Sequence, residues 1–527
     1  MMDAAAGPHT IGRWLHDRAV SAPEHIAVDD RGVRTDYRTL AARVTALADR
    51  LTGAGYGAGQ RVATVSGNST DHVVAFFACA ELGIAFLPLS WRLTPAELSD
   101  LITRSDPALL LIEDEHAALT TAALEHATAH PTHVPLGVAG VEADVPPAGI
   151  RSPRRAARDD DPLLIIYTSG SEAAPKGVVL THENCFWNNL ALDRAMPVSA
   201  DDVVLSMLPQ YHVAAWNVQP LLAWWRGATV VLERSFDPGR VLQLIVDRGV
   251  TTMMGVPTQY RMLCQHPLWE SADLSSLRRI VAGGETVPEG LASTWAARGL
   301  AFTQGYGLTE AGPNVLYLSA DLIAQHPAAV GRPYPGVDVR IVDPESELEL
   351  DGPVTGELWV RGASIFAGYL DDAEATARAM HGEWLRTGDL VHRDAQGIHR
   401  VVDRLKEIYV SGGENVAPAE VERALRRHPL VSACAVVGAP DPVWGERGVA
   451  FVVADAPVSA EELRTFAAER LANFKLPARF VFVDELPRSA IDKVARAALR
   501  ERARHLMTQQ FSTEPRTTGP YASEATS

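Results

Sequence analysis

Cysteine is scarce: Cys79, Cys185, Cys264 and Cys434 are the only four in 527 residues. Their separations are far too long for a CxxC metal knuckle, and most lie in apolar surroundings, so they read as core residues of a reducing compartment rather than as disulfides. Basic residues are outnumbered, with Lys+Arg 48 against Asp+Glu 65 and a formal net charge of -17 at pH 7. Such a chain repels a phosphate backbone, and no Lys/Arg cluster interleaved with aromatics offsets this, so nucleic acid is not an expected partner. Long apolar runs are missing too. The longest, residues 73–89, is interrupted by Glu81 and punctuated at Gly83, short of the roughly 20 residues a membrane span needs. The opening MMDAAAGPHTIGRW has no basic segment followed by an apolar core, so no secretory signal is expected and the expected location is the cytoplasm.

What is present is a 47% hydrophobic composition and, at roughly 100–200 residues per domain, enough chain for a large domain with a smaller partner. Strand-length apolar runs alternate with helical patterns through most of the chain, as at residues 61–65, 71–82 and 85–89, the rhythm of parallel α/β layers. Residues 146–161, with Arg151, Arg154, Arg155 and Arg158 beside Asp159, Asp160 and Asp161, are polar and aperiodic and suit a surface connection. Near Val401 the elements become smaller. The expected division is an N-terminal domain over 1–402 and a C-terminal domain over 403–505. Residues 506–527 have too few large apolar side chains to order themselves and suit a disordered tail.

The most informative stretch runs from Leu163 to Leu180: a buried strand, a hydroxyl-rich turn of small residues, Lys176 and a second strand. Thr168, Ser169, Gly170 and Ser171 can aim N–H and hydroxyl groups at one point while Lys176 supplies positive charge, which suits a polyphosphate. The same residues also suit a plain β-hairpin with a surface lysine.

Other segments stand in order beside it. They are Tyr167-Thr-Ser-Gly170 with Pro175-Lys-Gly177, Gln304-Gly-Tyr-Gly-Leu-Thr-Glu310, Gly356-Glu-Leu-Trp-Val-Arg-Gly362, Trp384-Leu-Arg-Thr-Gly-Asp389, Asp403-Arg404-Leu-Lys-Glu407, and Leu486-Pro-Arg488 leading to Lys493. The set resembles the adenylate-forming superfamily of acyl-CoA synthetases, aryl-CoA ligases, luciferases and the adenylation domains of peptide synthetases, over nearly the whole chain. The resemblance implies an α/β fold: a large N-terminal multi-layer domain of parallel sheets plus a distorted β-barrel, and a small mobile α+β C-terminal domain. It implies ATP, Mg²⁺ and coenzyme A, and a reaction in which a carboxylic acid becomes an acyl-adenylate and then a thioester. A carboxylate has no good leaving group until AMP supplies one.

By the same resemblance, Lys493 bridges the acid and the α-phosphate, Glu310 holds Mg²⁺ and Thr309 adds a hydroxyl. Asp389 takes the ribose, Arg404 reaches ribose or phosphate, Tyr306 stacks on adenine, and Gly283, Gly284 and Glu285 close the other side. Gly305 and Gly307 admit close backbone approach. Asp403 is the hinge, because Lys493 must enter for one half-reaction and leave for the other. Ser411, Gly412 and Gly413 line the pantetheine path, with Trp444 and Lys475 as weaker coenzyme A contacts that otherwise suit core and surface. His212, Val213, Trp216, Val256, Pro257 and Gly283 form the acyl pocket, His212 as a gate. No Asp occurs between Pro209 and Trp225 to pair with a substrate ammonium, so the expected acid is aliphatic or aromatic and not an α-amino acid.

The chain departs from the family pattern at Glu172 and Ala173, where the phosphate loop usually has Thr and Gly, and at Asp492, where Gly is common. Between unit charges ~4 Å apart, repulsion is about 1 kcal/mol in water and about 4 kcal/mol at an effective dielectric of roughly 20, so Glu172 must turn away from phosphate, bind Mg²⁺ or weaken ATP binding. The resemblance leaves room for a carrier-protein phosphopantetheine or an amine as acceptor, for an atypical acid, for a homodimer, and for a catalytically silent ligand-binding homologue.

Overall fold

The computed structural model describes residues 7–136, 145–149, 152, 155–168, 175–326, 328–411, 414–442, 444–488 and 494–513. The chain divides into two compact units, residues 1–387 with 391–401, and residues 388–390 with 402–527.

The first unit is built on two large sheets. One places Phe302–Tyr306, Arg279–Ala282, Thr252–Gly255, Val203–Ser206, Thr229–Leu232 and Ile26–Asp30 side by side and parallel, with antiparallel strands at both edges. The other runs Pro162–Thr168, Ala85–Leu89, Arg61–Val65, Leu109–Ile112 and Thr132–Pro135 in parallel, edged by the antiparallel Lys176–Thr181 and Gly368–Tyr369. Smaller antiparallel pairs, such as Asp338–Val342 with Val354–Arg361, follow later in the chain.

The run of residues 73–89 is a helix, a turn and a strand. The helix Thr70–Leu82 starts on the Ser69 side chain, which accepts from the His72 amide, and stops at Gly83, whose φ of 65° an L side chain rarely adopts. From Thr70 to Ala80 every residue of this helix is buried, which is why its sequence shows no polar face. Phe76 and Phe77 meet Trp216 and Trp224 from the other side of the core. Among the described residues no helix is long and apolar enough to cross a membrane. Cys79, Cys185 and Cys434 are buried free thiols and Cys264 is half-buried.

The second unit packs the helices Pro418–Leu425, Ala460–Ala468 and Arg496–Thr513 on a sheet of Glu414–Val416, Tyr409–Ser411, Gly445–Ala454 and Val431–Asp441, with Arg479–Phe482 paired to Gly445–Ala454. The last helix extends beyond residue 506, where composition alone suggests a tail. Leu499, Ala503 and Met507 recur at four-residue spacing and pack on Ala435, Val437 and Phe451, so the sheet orders a stretch that is otherwise polar.

Candidate active site

In the first unit the site residues leave the carboxyl ends of parallel strands, where α/β proteins generally bind ligands. The strand Pro162–Thr168 places Thr168 directly opposite Lys176 across an antiparallel pair. The two strands pair as the hairpin reading expects. Ser169, Gly170, Ser171, Glu172 and Ala173 lie outside the described residues.

The Lys176 ammonium sits 5.2 Å from the ring centroid of Tyr369, and the Tyr369 hydroxyl donates to Glu310 Oε1 at 2.9 Å. Tyr369 thus links the lysine of the hairpin to the carboxylate expected to hold Mg²⁺. Its strand, Gly368–Tyr369, pairs with Lys176–Thr181, and its amide is fixed by Thr376 Oγ1. A strand of two residues has no periodicity and so carries no strand signal.

Thr309 and Glu310 sit on a 3₁₀ turn, Thr309–Ala311, beyond the strand Phe302–Tyr306. A Cβ on Gly307 would lie 1.4 Å from the Pro313 carbonyl oxygen, so this turn closes only over glycine. Beneath it, three buried asparagines from separate segments hold its far side. Asn217 Nδ2 donates to the Gly312 carbonyl at 2.6 Å, Asn188 Oδ1 accepts from the Asn314 amide, and Asn188 and Asn314 both donate to the Asn217 carbonyl. Replacing Asn217 by Leu strands buried polar partners and should lower unfolding free energy by about 2 kcal/mol in denaturant titration. A loss within experimental error would show that this network bears no such load.

Gln304, buried at the start of Gln304-Gly-Tyr, ties the nucleotide segments together. Its Nε2 donates to the carbonyls of Ala282, Glu285 and Gly305, and its Oε1 accepts from the Val287 amide. Gly283 is buried, while Gly284, at φ 79°, and Glu285 are exposed. Gly305 and Tyr306 are half-buried and Gly307 is exposed.

The acyl segments split by side. His212 and Val256 are half-buried, whereas Val213, Trp216 and Pro257 are covered. The Trp216 ring stacks on Phe76 at 4.5 Å and its indole N–H donates to the Gln210 carbonyl, so it serves as core behind the segment. Gln210 is held in turn by His72, a fully buried imidazole pushed by burial down to about 4 and hence neutral. Its Nδ1 donates to Gln210 Oε1 and its Nε2 accepts from Thr64.

In the second unit, Arg404 Nε lies 2.6 Å from Asp389 Oδ1, with the Asp389 side chain almost fully buried. Asp403 is also buried. Its oxygens accept from the amides of Arg404 and Ala419, the latter in the first turn of Pro418–Leu425, and burial pushes its carboxyl above the ordinary value against those bonds. Ser411 is buried on the strand Tyr409–Ser411, and Trp444 is half-buried beneath the Arg447 guanidinium. Lys475 is held by both oxygens of Glu420 at 2.8 Å, so an anion binding there would have to displace a carboxylate. Gly412, Gly413, Asp492 and Lys493 lie outside the described residues.

An ammonium and a carboxylate joined through a phenol, with a glycine-lined turn and a half-buried aromatic residue at the carboxyl end of the strand Phe302–Tyr306, suit a nucleotide-dependent α/β enzyme. Comparison with known proteins is specific. The family model of the AMP-binding enzyme matches residues 15–370, and that of the AMP-binding enzyme C-terminal domain matches residues 420–493. A feruloyl-CoA synthase of Amycolatopsis sp is 40% identical over 93% of this chain and 99% of its own length. An indoleacetate–CoA ligase of Aromatoleum aromaticum is 36% identical over 93% of this chain and 98% of its own. The crystal structure of ATP-bound MatB from Rhodopseudomonas palustris superposes with a TM-score of 0.85 at 30% identity, covering 95% of this chain and 99% of that one. The chain belongs to the AMP-binding enzyme family. Its activity is that of an AMP-forming acid–thiol ligase, with ATP, a carboxylic acid and coenzyme A as substrates.

Proposed function

We propose that the acid is aromatic, and that the residues assigned from the sequence divide the work as follows. The observation that carries the site assignment is the Lys176–Tyr369–Glu310 linkage at the end of the hairpin. The relatives named for feruloyl and indoleacetate groups support the choice of acid, and Ala214, Val256 and Gly283 bring no charge to the acyl segments.

In adenylation a carboxylate oxygen of the acid bonds to the α-phosphorus of ATP and the bond to pyrophosphate breaks. Lys176 with the residues 168–171 binds the phosphates, Asp389 and Arg404 the ribose, and Tyr306 the adenine face, backed by Gly284, Glu285, Gly305 and Gly307. The Glu310 carboxylate, oriented by the Tyr369 hydroxyl, suits a hard cation. Mg²⁺ there would neutralise charge on the phosphates, and Thr309 adds an oxygen on the same turn. Lys493 stabilises charge that builds as pyrophosphate leaves. In the second step the thiol of coenzyme A attacks the acyl carbon and AMP departs. Torsion at Asp403 separates the two steps, and Ser411, Gly412, Gly413, Trp444 and Lys475 receive coenzyme A. The cytoplasm, where ATP and coenzyme A are available, is the compartment this reading requires.

A panel of acids with Mg·ATP tests it. Aryl and arylalkenoic acids should release pyrophosphate faster, in kcat/KM, than alkanoic acids of equal carbon number by at least about tenfold, and mass spectrometry should find the coenzyme A thioester. Preference for alkanoic acids would overturn the aromatic assignment, and thioester formed only on a carrier protein would overturn the acceptor.

A further inference from the structure

Lys176 and Glu310 come from segments far apart in the chain, and one helix reaches the supports of both. The helix His182–Ala195 follows the strand Lys176–Thr181 without a linking residue, so its first turn is fixed to the lysine's own strand. A reciprocal cap locks that junction: Thr181 Oγ1 accepts from the Asn184 amide at 3.1 Å, and Asn184 Oδ1 accepts from the Thr181 amide at 3.0 Å. Asn184 and Asn188 lie one helical turn apart on one face. Asn184 Nδ2 donates to the Ala363 carbonyl at 2.9 Å, and a little further along that segment the Phe366 amide donates to the Glu310 carbonyl at 2.9 Å. Asn188 Oδ1 accepts from the Asn314 amide at 3.1 Å, and its Nδ2 donates to the Asn217 carbonyl at 2.8 Å.

Asn188 is fully buried, as are Asn189 and Asn217. Its carboxamide also sets the space beside Gly312: a Cβ there would lie 3.0 Å from Asn188 Oδ1, and Gly312 has φ 106°. The turn is therefore pinned just past Glu310. Stability alone does not call for asparagine at such a place, because buried amides replaced together by apolar groups of like shape can leave the folding free energy nearly unchanged. What hydrogen bonds add over apolar contact is direction, since each holds its partners at about 2.9 Å and weakens steeply off line. At about 1.5 Å of rise per residue, the helix carries Asn188 about 10 Å from the end of the lysine's strand, a spacer of fixed length.

We infer that Asn188 is a positioning residue for adenylation: by fixing the turn Thr309–Ala311 to the helix that continues the Lys176 strand, it sets the separation between the Glu310 carboxylate and the Lys176 ammonium. The inference rests on the reading that Glu310 holds the divalent cation and Lys176 the phosphates. Its action is through the backbone of Gly312 and Asn314. Tyr369 then spans a gap of set width, with its ring centroid 5.2 Å from the ammonium and its hydroxyl 2.9 Å from Glu310 Oε1, and slack in the turn would loosen one of these two contacts.

Asn188→Leu keeps the bulk of the side chain and removes both hydrogen bonds. Mn²⁺ binding beside α,β-methylene ATP, which cannot release pyrophosphate, is read from the electron paramagnetic resonance signal of free Mn²⁺, and its dissociation constant should rise about fivefold or more in the variant. In the same preparation, acid-dependent pyrophosphate release should fall about tenfold in kcat/KM, while thioester formation from supplied acyl-adenylate and coenzyme A stays within about threefold of wild type. A dissociation constant and a ratio of two rates do not depend on the fraction folded, and Asn188→Ser serves the same comparison if the leucine variant does not fold. Glu310→Gln separates the inference from the reading beneath it. Where Glu310→Gln weakens Mn²⁺ binding and Asn188→Leu adds less than about twofold in that background, Asn188 acts through Glu310. An unchanged Mn²⁺ constant in Asn188→Leu, equal loss in both half-reactions, or a further loss on top of Glu310→Gln overturns the positioning role alone. An unchanged Mn²⁺ constant in Glu310→Gln overturns the reading of the cation site and the inference with it.

Discussion

Lys493→Ala should lower acid-dependent pyrophosphate release about a thousandfold while leaving thioester formation from supplied acyl-adenylate and coenzyme A within about threefold of wild type. The asymmetry follows from where charge develops. When the acid attacks ATP, a monoanion approaches a polyanion and pyrophosphate departs with more negative charge than it carried while bound. An ammonium held at that point stabilises the transition state more than the separated substrates. When the thiol attacks, the acid has already lost its charge in the mixed anhydride and AMP is a weaker demand on the site. Chain-wide acidity, at a formal net charge of -17, sharpens the first requirement, because background charge repels ATP and the local cations must overcome it. Asp492, next to Lys493, adds to the same demand. Stopped mixtures assayed for pyrophosphate and, separately, for thioester would separate the halves. Equal loss in both would mean that Lys493 holds the C-terminal unit together and does not act on the phosphate.

The alternation of strand and helix was legible because burial on both faces of a parallel sheet leaves continuous apolar runs, and because Gly83 marks where the wholly buried helix Thr70–Leu82 stops. The local geometry of the motif segments, such as Thr168 opposite Lys176 and Gln304 through Glu310, was legible for a related reason: each is one turn at one strand end. What stayed hidden depends on distant segments meeting. Asn217 reaches Gly312 across 95 residues and Asn188 reaches Asn314 across 126, and an asparagine in a helix carries no sign of which carbonyl it will find. Tyr369 lies on a strand too short to have a pattern. Trp216 illustrates a different gap. Its segment was expected to line the acyl pocket, but a helix as short as Ala214–Asn217 has no readable face, and contact with Phe76 and Phe86 decides that its ring turns to the core. The helix Arg496–Thr513 is a further gap, since residues from 506 on suit a tail by composition and only the sheet beneath gives Met507, four residues on from Ala503, a partner.

Glu310→Gln should lower kcat/KM for adenylation about a hundredfold and raise the Mg²⁺ concentration needed for half-maximal rate. The substitution keeps shape and keeps an oxygen able to accept from the Tyr369 hydroxyl, which now donates to Glu310 Oε1 at 2.9 Å, so it removes charge and little else. Tyr369→Phe isolates the complementary part. The ring remains for the Lys176 ammonium, 5.2 Å from its centroid, while the hydroxyl that orients the carboxylate is gone, and a loss of about tenfold is expected. If the phenol acts by orienting Glu310, its removal from an enzyme already carrying Glu310→Gln should change the rate by less than about threefold, because the charge it positions is absent. Additive losses in the double variant would instead mean that Tyr369 serves the phosphates through Lys176. A Glu310→Gln enzyme with an unaltered Mg²⁺ titration would place the metal on other oxygens and leave Glu310 as a brace for the turn Thr309–Ala311, whose backbone it already fastens through the Phe366 amide.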